Sequence, residues 1–207
     1  MPVIVNQSCA TDPTVGTKAG DTTFVSTDGG YLRFQVATNF TSGQYYFSQS
    51  LAQNFEMNCE VWAGGGTGAD AVWFHWGATT TPTQEDSAQS QYGVVLSEFA
   101  DQVQIRFNGT TLTSTAYANL DNSTWNALHV ICRGQQIIIR INGQLVLDYT
   151  DDTSRALGGT QYGWGGRSGG TNNEHRIRAI QVNSPPDKAT NRRAEAGSGM
   201  STSEVAS

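Results

Sequence analysis

A chain of 207 residues with a formal net charge of -6 and a pI near 4.9 can bury one good core, but it lacks the basic face with which a phosphate-backbone binder displaces counterions, which argues against nucleic acid as a partner. Charged residues make up only 14% of the chain, and Gly, Ser, Thr, Asn and Gln are abundant, a mixture that favours turns and polar strand faces over helices. No apolar run approaches the roughly 20 residues needed to span a bilayer, and Met1-Pro2-Val3-Ile4-Val5-Asn6 has neither a basic n-region nor an apolar h-region, so neither membrane insertion nor a secretory leader is expected.

Alternating or apolar runs bounded by turn residues recur along the chain. They are Tyr31 to Val36, Gln44 to Phe47, Phe55 to Trp62, Ala71 to Trp76, Tyr92 to Phe99, Gln102 to Phe107, Ala127 to Cys132, Gln136 to Ile141, Gln144 to Tyr149 and His175 to Val182. Their length and their β-branched and aromatic content predict strands. Asn108-Gly109 and Asn142-Gly143 each lie between strand-like runs, where Asn-Gly readily adopts the positive φ angles of a type I′ hairpin turn. Many antiparallel strands at this spacing imply two packed sheets, and a jelly-roll β-sandwich fits better than a closed barrel. Residues 1–21 are read as an N-terminal segment and 22–183 as the domain. Beyond Ser184-Pro185-Pro186 the pattern stops, and 184–207 are expected to form a flexible tail able to dock on a partner.

Cys9, Cys59 and Cys132 are odd in number and have no Cys-x-x-Cys spacing or neighbouring His, so buried free thiols in a reducing compartment are expected rather than zinc ligands. Sequons such as those beginning at Asn39, Asn108 and Asn122 arise readily in a chain this rich in Ser and Thr and do not establish secretion.

Two glycine-rich stretches stand out. The first is Gly64-Gly65-Gly66-Thr67-Gly68-Ala69-Asp70, followed by the aromatic run Ala71-Val72-Trp73-Phe74-His75-Trp76-Gly77. The second is Gly163-Trp164-Gly165-Gly166-Arg167-Ser168-Gly169-Gly170-Thr171-Asn172-Asn173. Glycines at 65 and 66 let main-chain amides approach a ligand closely, or form a flexible hairpin tip. Asp70 reads either as a polar clamp for sugar hydroxyls or as the cap of a glycine-rich turn. A sugar ring needs a polar clamp and an apolar platform, so Asp70 with a glycine amide and Trp164 or Tyr162 makes a chemically sensible set, whereas alternation sends Trp73 or Phe74 into the core.

Phe55 to Gly77, Tyr92 to Gly109 and Gly163 to Val182 resemble, in order and spacing, signature blocks of the legume-type (L-type) lectins within the concanavalin A-like lectin/glucanase superfamily. The resemblance implies an all-β, concanavalin A-like jelly roll of two antiparallel sheets. It also implies a cis peptide at Ala69-Asp70, a sugar-binding carboxylate on Asp70, and a specificity loop carried onto Arg167, Ser168, Gly169, Gly170 and Asn172. His175, at the start of the last strand, is read as structural.

The middle block departs from that pattern. The family carries Glu-x-Asp, with further Asn and Asp ligands, for calcium and a transition metal. Anchored on Asp101, those positions here are Val95 and Ser97; anchored on Glu98, the Asp becomes Ala100. Hard cations need several oxygens together, so no cofactor is expected and calcium is implied only by an incomplete ligand set. Glycosidases of the superfamily use Glu-x-Asp-x-Glu, which puts three carboxylates on one strand face. The nearest sequence, Glu56-Met57-Asn58-Cys59-Glu60, has Asn in the middle and is expected to show a solvated polar face. The resulting expectation is a non-catalytic, metal-independent carbohydrate-binding domain using Asp70, Gly65, Gly66, Trp164, Arg167, Ser168, Gly169, Gly170 and Asn172, with glycans or glycoconjugates as partners. The alternative is a structural or interaction module that self-associates or joins an assembly such as a viral particle surface.

Overall fold

The computed structural model describes residues 3–68, 70–89, 91–118 and 120–184. The strands in chain order are β1 (Val3–Gln7), β2 (Thr17–Gly20), β3 (Thr23–Val25), β4 (Tyr31–Gln35), β5 (Thr41–Ser48), β6 (Asn54–Gly64), β7 (Ala71–Ala78), β8 (Tyr92–Ser97), β9 (Gln102–Phe107), β10 (Thr110–Ala116), β11 (Trp125–Arg133), β12 (Gln136–Ile141), β13 (Gln144–Thr150), β14 (Gln161–Ser168) and β15 (Glu174–Asn183). Every pairing is antiparallel. One sheet of eight strands runs β13-β12-β11-β6-β15-β4-β3 with β1 also on β15; the other, of seven, runs β10-β9-β8-β7-β14-β5-β2.

The alternation read from sequence is the reason the sheets face each other. In β6, Phe55, Met57, Cys59 and Val61 are buried while Glu56, Asn58, Glu60 and Trp62 turn outward. In β12, Ile137, Ile139 and Ile141 point inward. The opposing sheet supplies Phe74 and Trp76 of β7, Tyr92 and Val94 of β8, and Tyr162 and Trp164 of β14. The aromatic rings pack edge-to-face or stacked, as between Phe55 and Trp76 at 5.2 Å and between Phe74 and Trp164 at 5.1 Å. Such side chains carry the largest share of buried apolar area in a core of this kind. All three cysteines are buried and free, and burial pushes Cys9 up to about 11 and Cys132 up to about 12, which keeps both as unreactive thiols. Both Asn-Gly hairpins have positive φ at both positions, 49° and 79° at Asn108-Gly109 and 52° and 79° at Asn142-Gly143.

Two boundaries move. The sandwich begins at Val3 rather than Thr22, because β1 pairs with β15 and β2 with β5. The second glycine-rich stretch is mostly strand: β14 is paired on both sides, by β5 and β7, and only 169–173 form a loop. The tail expectation falls on 185–207, outside the described residues. Among the described residues no helix is long and apolar enough to cross a membrane.

Candidate functional site

The connections 36–40, 64–70, 98–101 and 169–173 meet at one end of the sandwich. Thr67 donates its main-chain N–H to the carbonyl of Asn172 at 2.7 Å, and Gly66 donates to Asn173 Oδ1 at 3.1 Å. Phe40 donates to the Gly169 carbonyl at 3.1 Å, Asn39 Nδ2 to the Gly170 carbonyl at 2.9 Å, and Asn172 Nδ2 to Asn39 Oδ1 at 2.7 Å. Glu98 donates its N–H to the carbonyl of Asp70 at 3.2 Å. Asp70 therefore stands where three of these connections converge.

The predicted glycines divide into two kinds. A Cβ on Gly66 would lie 1.9 Å from the Asn172 carbonyl oxygen, and one on Gly169 would lie 2.4 Å from Asp70 Oδ2, so these two are glycine because the loops touch there. Gly65, with φ of 74°, and Gly170 are exposed, and a Cβ on Gly170 would meet nothing within 4 Å, although its carbonyl is taken by the Asn39 amide. Gly169→Ala is accordingly expected to cost about 1–3 kcal/mol, the usual range for overpacking, and to displace Asp70; urea unfolding of the variant beside the parent checks it.

Asp70 is polarised by Arg167. Arg167 Nη2 lies 3.2 Å from Asp70 Oδ2 without hydrogen-bond alignment, while its Nη1 contacts Gln84 Oε1 at 3.1 Å and Glu85 Oε2 at 3.3 Å. One guanidinium thus joins the glycine loop to the connection between β7 and β8. Burial pushes the Glu85 carboxyl up, against the pull of Arg167.

Two predicted residues are not at the surface. Trp164 is fully buried in the core, ringed by Phe74, Tyr45, Phe47 and Tyr162, because its parity on β14 turns it toward the opposing sheet; it cannot be the sugar platform, and neither can the buried Tyr162. Ser168 is also fully buried and donates its hydroxyl to the Asn173 carbonyl at 3.0 Å. The exposed aromatics are instead Phe40, 83% accessible with a left-handed φ of 59°, and Phe99, 78% accessible. Phe40 is anchored to the glycine at 169, and Phe99 follows the residue bonded to Asp70. The expected cis peptide falls on Ala69, outside the described residues.

Beneath the rim lies a buried polar network. Glu98 Oε1 is 2.7 Å from His175 Nε2, and Asn173 Nδ2 donates to Glu98 Oε2 at 2.5 Å. Gln35 Nε2 meets His175 Nδ1 and reaches Ser168 Oγ and the Asn173 carbonyl, each at 3.4 Å. His175 is thus held between Gln35 and Glu98. Glu98 is committed to His175 and Asn173, Ala100 offers no donor, and among the described residues no three His, Cys, Asp or Glu side chains converge to hold a metal. The lectin metal pair does not fit this donor set. Glu56 and Glu60 are on the outer face of the eight-stranded sheet, Glu56 near Arg133 at 3.5 Å and Glu60 bonded to Arg178 at 2.5 Å.

Solved structures of similar fold include three whose names state a bound sugar, a lectin or a carbohydrate-binding module. The VIP36 exoplasmic/lumenal domain in its Ca2+/Man-bound form matches with a TM-score of 0.70 at 14% identity, over 84% of this chain and 84% of that one. The Lotus tetragonolobus seed lectin matches with a TM-score of 0.67 at 14% identity over 87% of this chain and 97% of that one. Carbohydrate-binding module CBM66 from Bacillus subtilis matches with a TM-score of 0.56 at 14% identity over 81% and 95%. At these identities the lectin resemblance holds as a shared concanavalin A-like fold. No curated protein matches the sequence. The family model described as the 3-keto-alpha-glucoside-1,2-lyase-like domain matches residues 11–183, which is most of the chain and spans both sheets, and the chain belongs to that family.

Proposed function

We propose that the chain binds saccharides, of the α-glucoside class, at the rim around Asp70 without turning them over. The observation that carries this reading is the convergence of a partly buried carboxylate, two exposed glycines at 65 and 170, and two solvent-exposed phenylalanines on loops bonded to one another. Asp70 and the glycine amides supply directional polar contacts, and Phe40 and Phe99 supply the apolar platforms that Trp164 cannot. Holding a non-glycine residue at positive φ carries a strain cost of order 1–3 kcal/mol, which makes a fully exposed aromatic there costly unless it has a surface role. Purified protein screened on an α-glucoside-containing glycan array should bind with or without chelator, and folded Asp70→Ala and Phe40→Ala variants should each lose about tenfold or more in affinity. Equal binding by both variants would sink the rim assignment. Silence across the array together with self-association in sedimentation would favour the assembly-module alternative.

The family match favours a second reading, elimination from a 3-keto-α-glucoside. In that reaction a base removes the C2 proton made acidic by the ketone, the C1–O bond breaks with its electron pair going to oxygen, and an acid protonates the leaving alkoxide. Asp70 and Glu85 on either side of Arg167 supply a carboxylate, a carboxyl pushed upward by burial, and a cation to polarise the ketone. Formation of an enone chromophore from a 3-keto-α-glucoside, abolished in Glu85→Gln, is the expected result of this second reading.

A further inference from the structure

The outer face of the seven-stranded sheet holds polar groups that neither reading uses. Across its strands one register row runs Tyr46, Gly163, His75, Gly93 and Arg106, and the next runs Gln44, Gly165, Trp73, Val95 and Gln104. This face points away from the core, yet His75 is 1% and Trp73 2% accessible. We take as the cover of this face residues 79–89, which are tied to Arg167 on one side of the sheet through Gln84 and Glu85 and pressed against the β9–β10 turn on the other. There, a Cβ on Gly109 would lie 2.4 Å from the Asp86 carbonyl oxygen.

Two independent features under this cover lack a structural reason. Both ring nitrogens of His75 and the indole Nε1 of Trp73 are buried with no hydrogen-bond partner among the described residues. Buried polar groups are nearly always paired, so each such orphan asks for an explanation. Gly93, beside His75 in the row, is an interior strand glycine whose φ is not in the left-handed region. A Cβ there would meet nothing nearer than 3.9 Å. By contrast, Gly163 is required by its approach to Tyr45 and Tyr46, and Gly165 by the Trp73 ring lying over it. A strand glycine without steric need marks a place where another group comes close.

We propose that this face carries a second saccharide subsite, a trough at Gly93 with His75 on its floor and Trp73 and Arg106 beside it, opened when residues 79–89 release Arg167. Neutral imidazole both donates and accepts, as a sugar hydroxyl does, and the indole adds a donor and a flat apolar surface. Arg106, bonded to Gln104 Oε1 at 2.8 Å and without a carboxylate partner among the described residues, offers further donors. Arg167 also contacts Asp70, so the latch of the cover and the rim share one side chain. The proposal rests on the α-glucoside reading for its ligand class and not for its location.

The test is a titration of the full chain with methyl α-glucopyranoside to high millimolar concentration, following the His75 ring and Trp73 indole N–H signals by NMR. Both signals should shift in the parent. The shift should be about tenfold or more weaker in Gly93→Val, which fills the trough, and intermediate in Gly93→Ala, which the surrounding space accepts without strain. Absence of a shift in the parent, or equal shifts in all three proteins, overturns the subsite. Amide shifts at 65–70 that vanish in Asp70→Ala report on the rim separately, so either site can fail while the other stands.

Discussion

Replacing His75 by Leu is expected to stabilise the protein, and to do so most in acid. Burial lowers the His75 pKa from 6.5 to about 3, and no neighbouring charge offsets that burial. As the pH falls below 6.5 the unfolded chain takes up a proton on this imidazole while the folded chain refuses it until about pH 3. The unfolded state therefore binds more protons across that window. Stability linked to His75 is complete above pH 6.5, erodes through the window and is lost by about pH 3. At about 1.4 kcal/mol per pH unit the full loss is of the order of 5 kcal/mol, and leucine, which does not titrate, abolishes it. At neutral pH the variant should still gain about 1–3 kcal/mol, because two buried nitrogens without partners disappear. Urea unfolding at neutral pH and near pH 4 measures both parts. A variant less stable than the parent at neutral pH would mean that the imidazole is paired after all, and would remove one support of the covered subsite. A stabilised variant would show His75 to be kept at a cost to stability, a pattern typical of binding residues.

Much of the architecture was legible because half-buried strands write their geometry as alternation. Gln102–Phe107 and Gln136–Ile141 are strands at the very residues the pattern indicates, and both Asn-Gly turns take the expected backbone. The short β1, β2 and β3 carry too few residues for a period to register, and β10 is a Thr-rich, mostly exposed strand at the sheet edge. β14 is more instructive. Gly163, Gly165 and Gly166 look like loop residues, but each is a glycine because a neighbour occupies its Cβ position: the Tyr45 carbonyl with Tyr46, the Trp73 ring and His175 in turn. Once β14 is a central strand, Trp164 must face the core. Composition alone cannot separate a glycine that gives freedom from one that makes room.

The rim was half legible. Asp70 and the first glycine loop follow from local sequence, while Phe40 and Phe99 look like any other candidate core aromatics; the only signal was that Phe40 stands isolated between two strand runs. The network beneath was invisible, since Gln35 and His175 are 140 residues apart and Asn173 and Glu98 are 75 apart. Such contacts exist only after two sheets have closed on each other, and no local period encodes them.

Glu98→Ala is the second substitution expected to have a large effect, and it probes that network. Glu98 is held against His175 and the Asn173 amide with its side chain 1% accessible, and Asn173 in turn accepts from Gly66 in the glycine loop. Removing Glu98 leaves His175 Nε2 and the Asn173 amide buried without a partner, at about 1–3 kcal/mol for each. The loss should not spread evenly. Gly66, Thr67 and the 169–173 loop depend on Asn173 and its neighbours for their position, so their amides should exchange faster with solvent than those of β12 or β11, and saccharide affinity should fall with them. Glu98→Gln keeps an acceptor for the Asn173 amide and a group facing His175, so it should retain most of the stability. Hydrogen exchange on the two variants, read beside their unfolding midpoints, separates the cases: uniform destabilisation in Glu98→Ala with unchanged loop exchange would show the network to be ordinary core, whereas selective loosening of 65–68 and 169–173 shows that the buried carboxylate is what holds the rim in its binding shape.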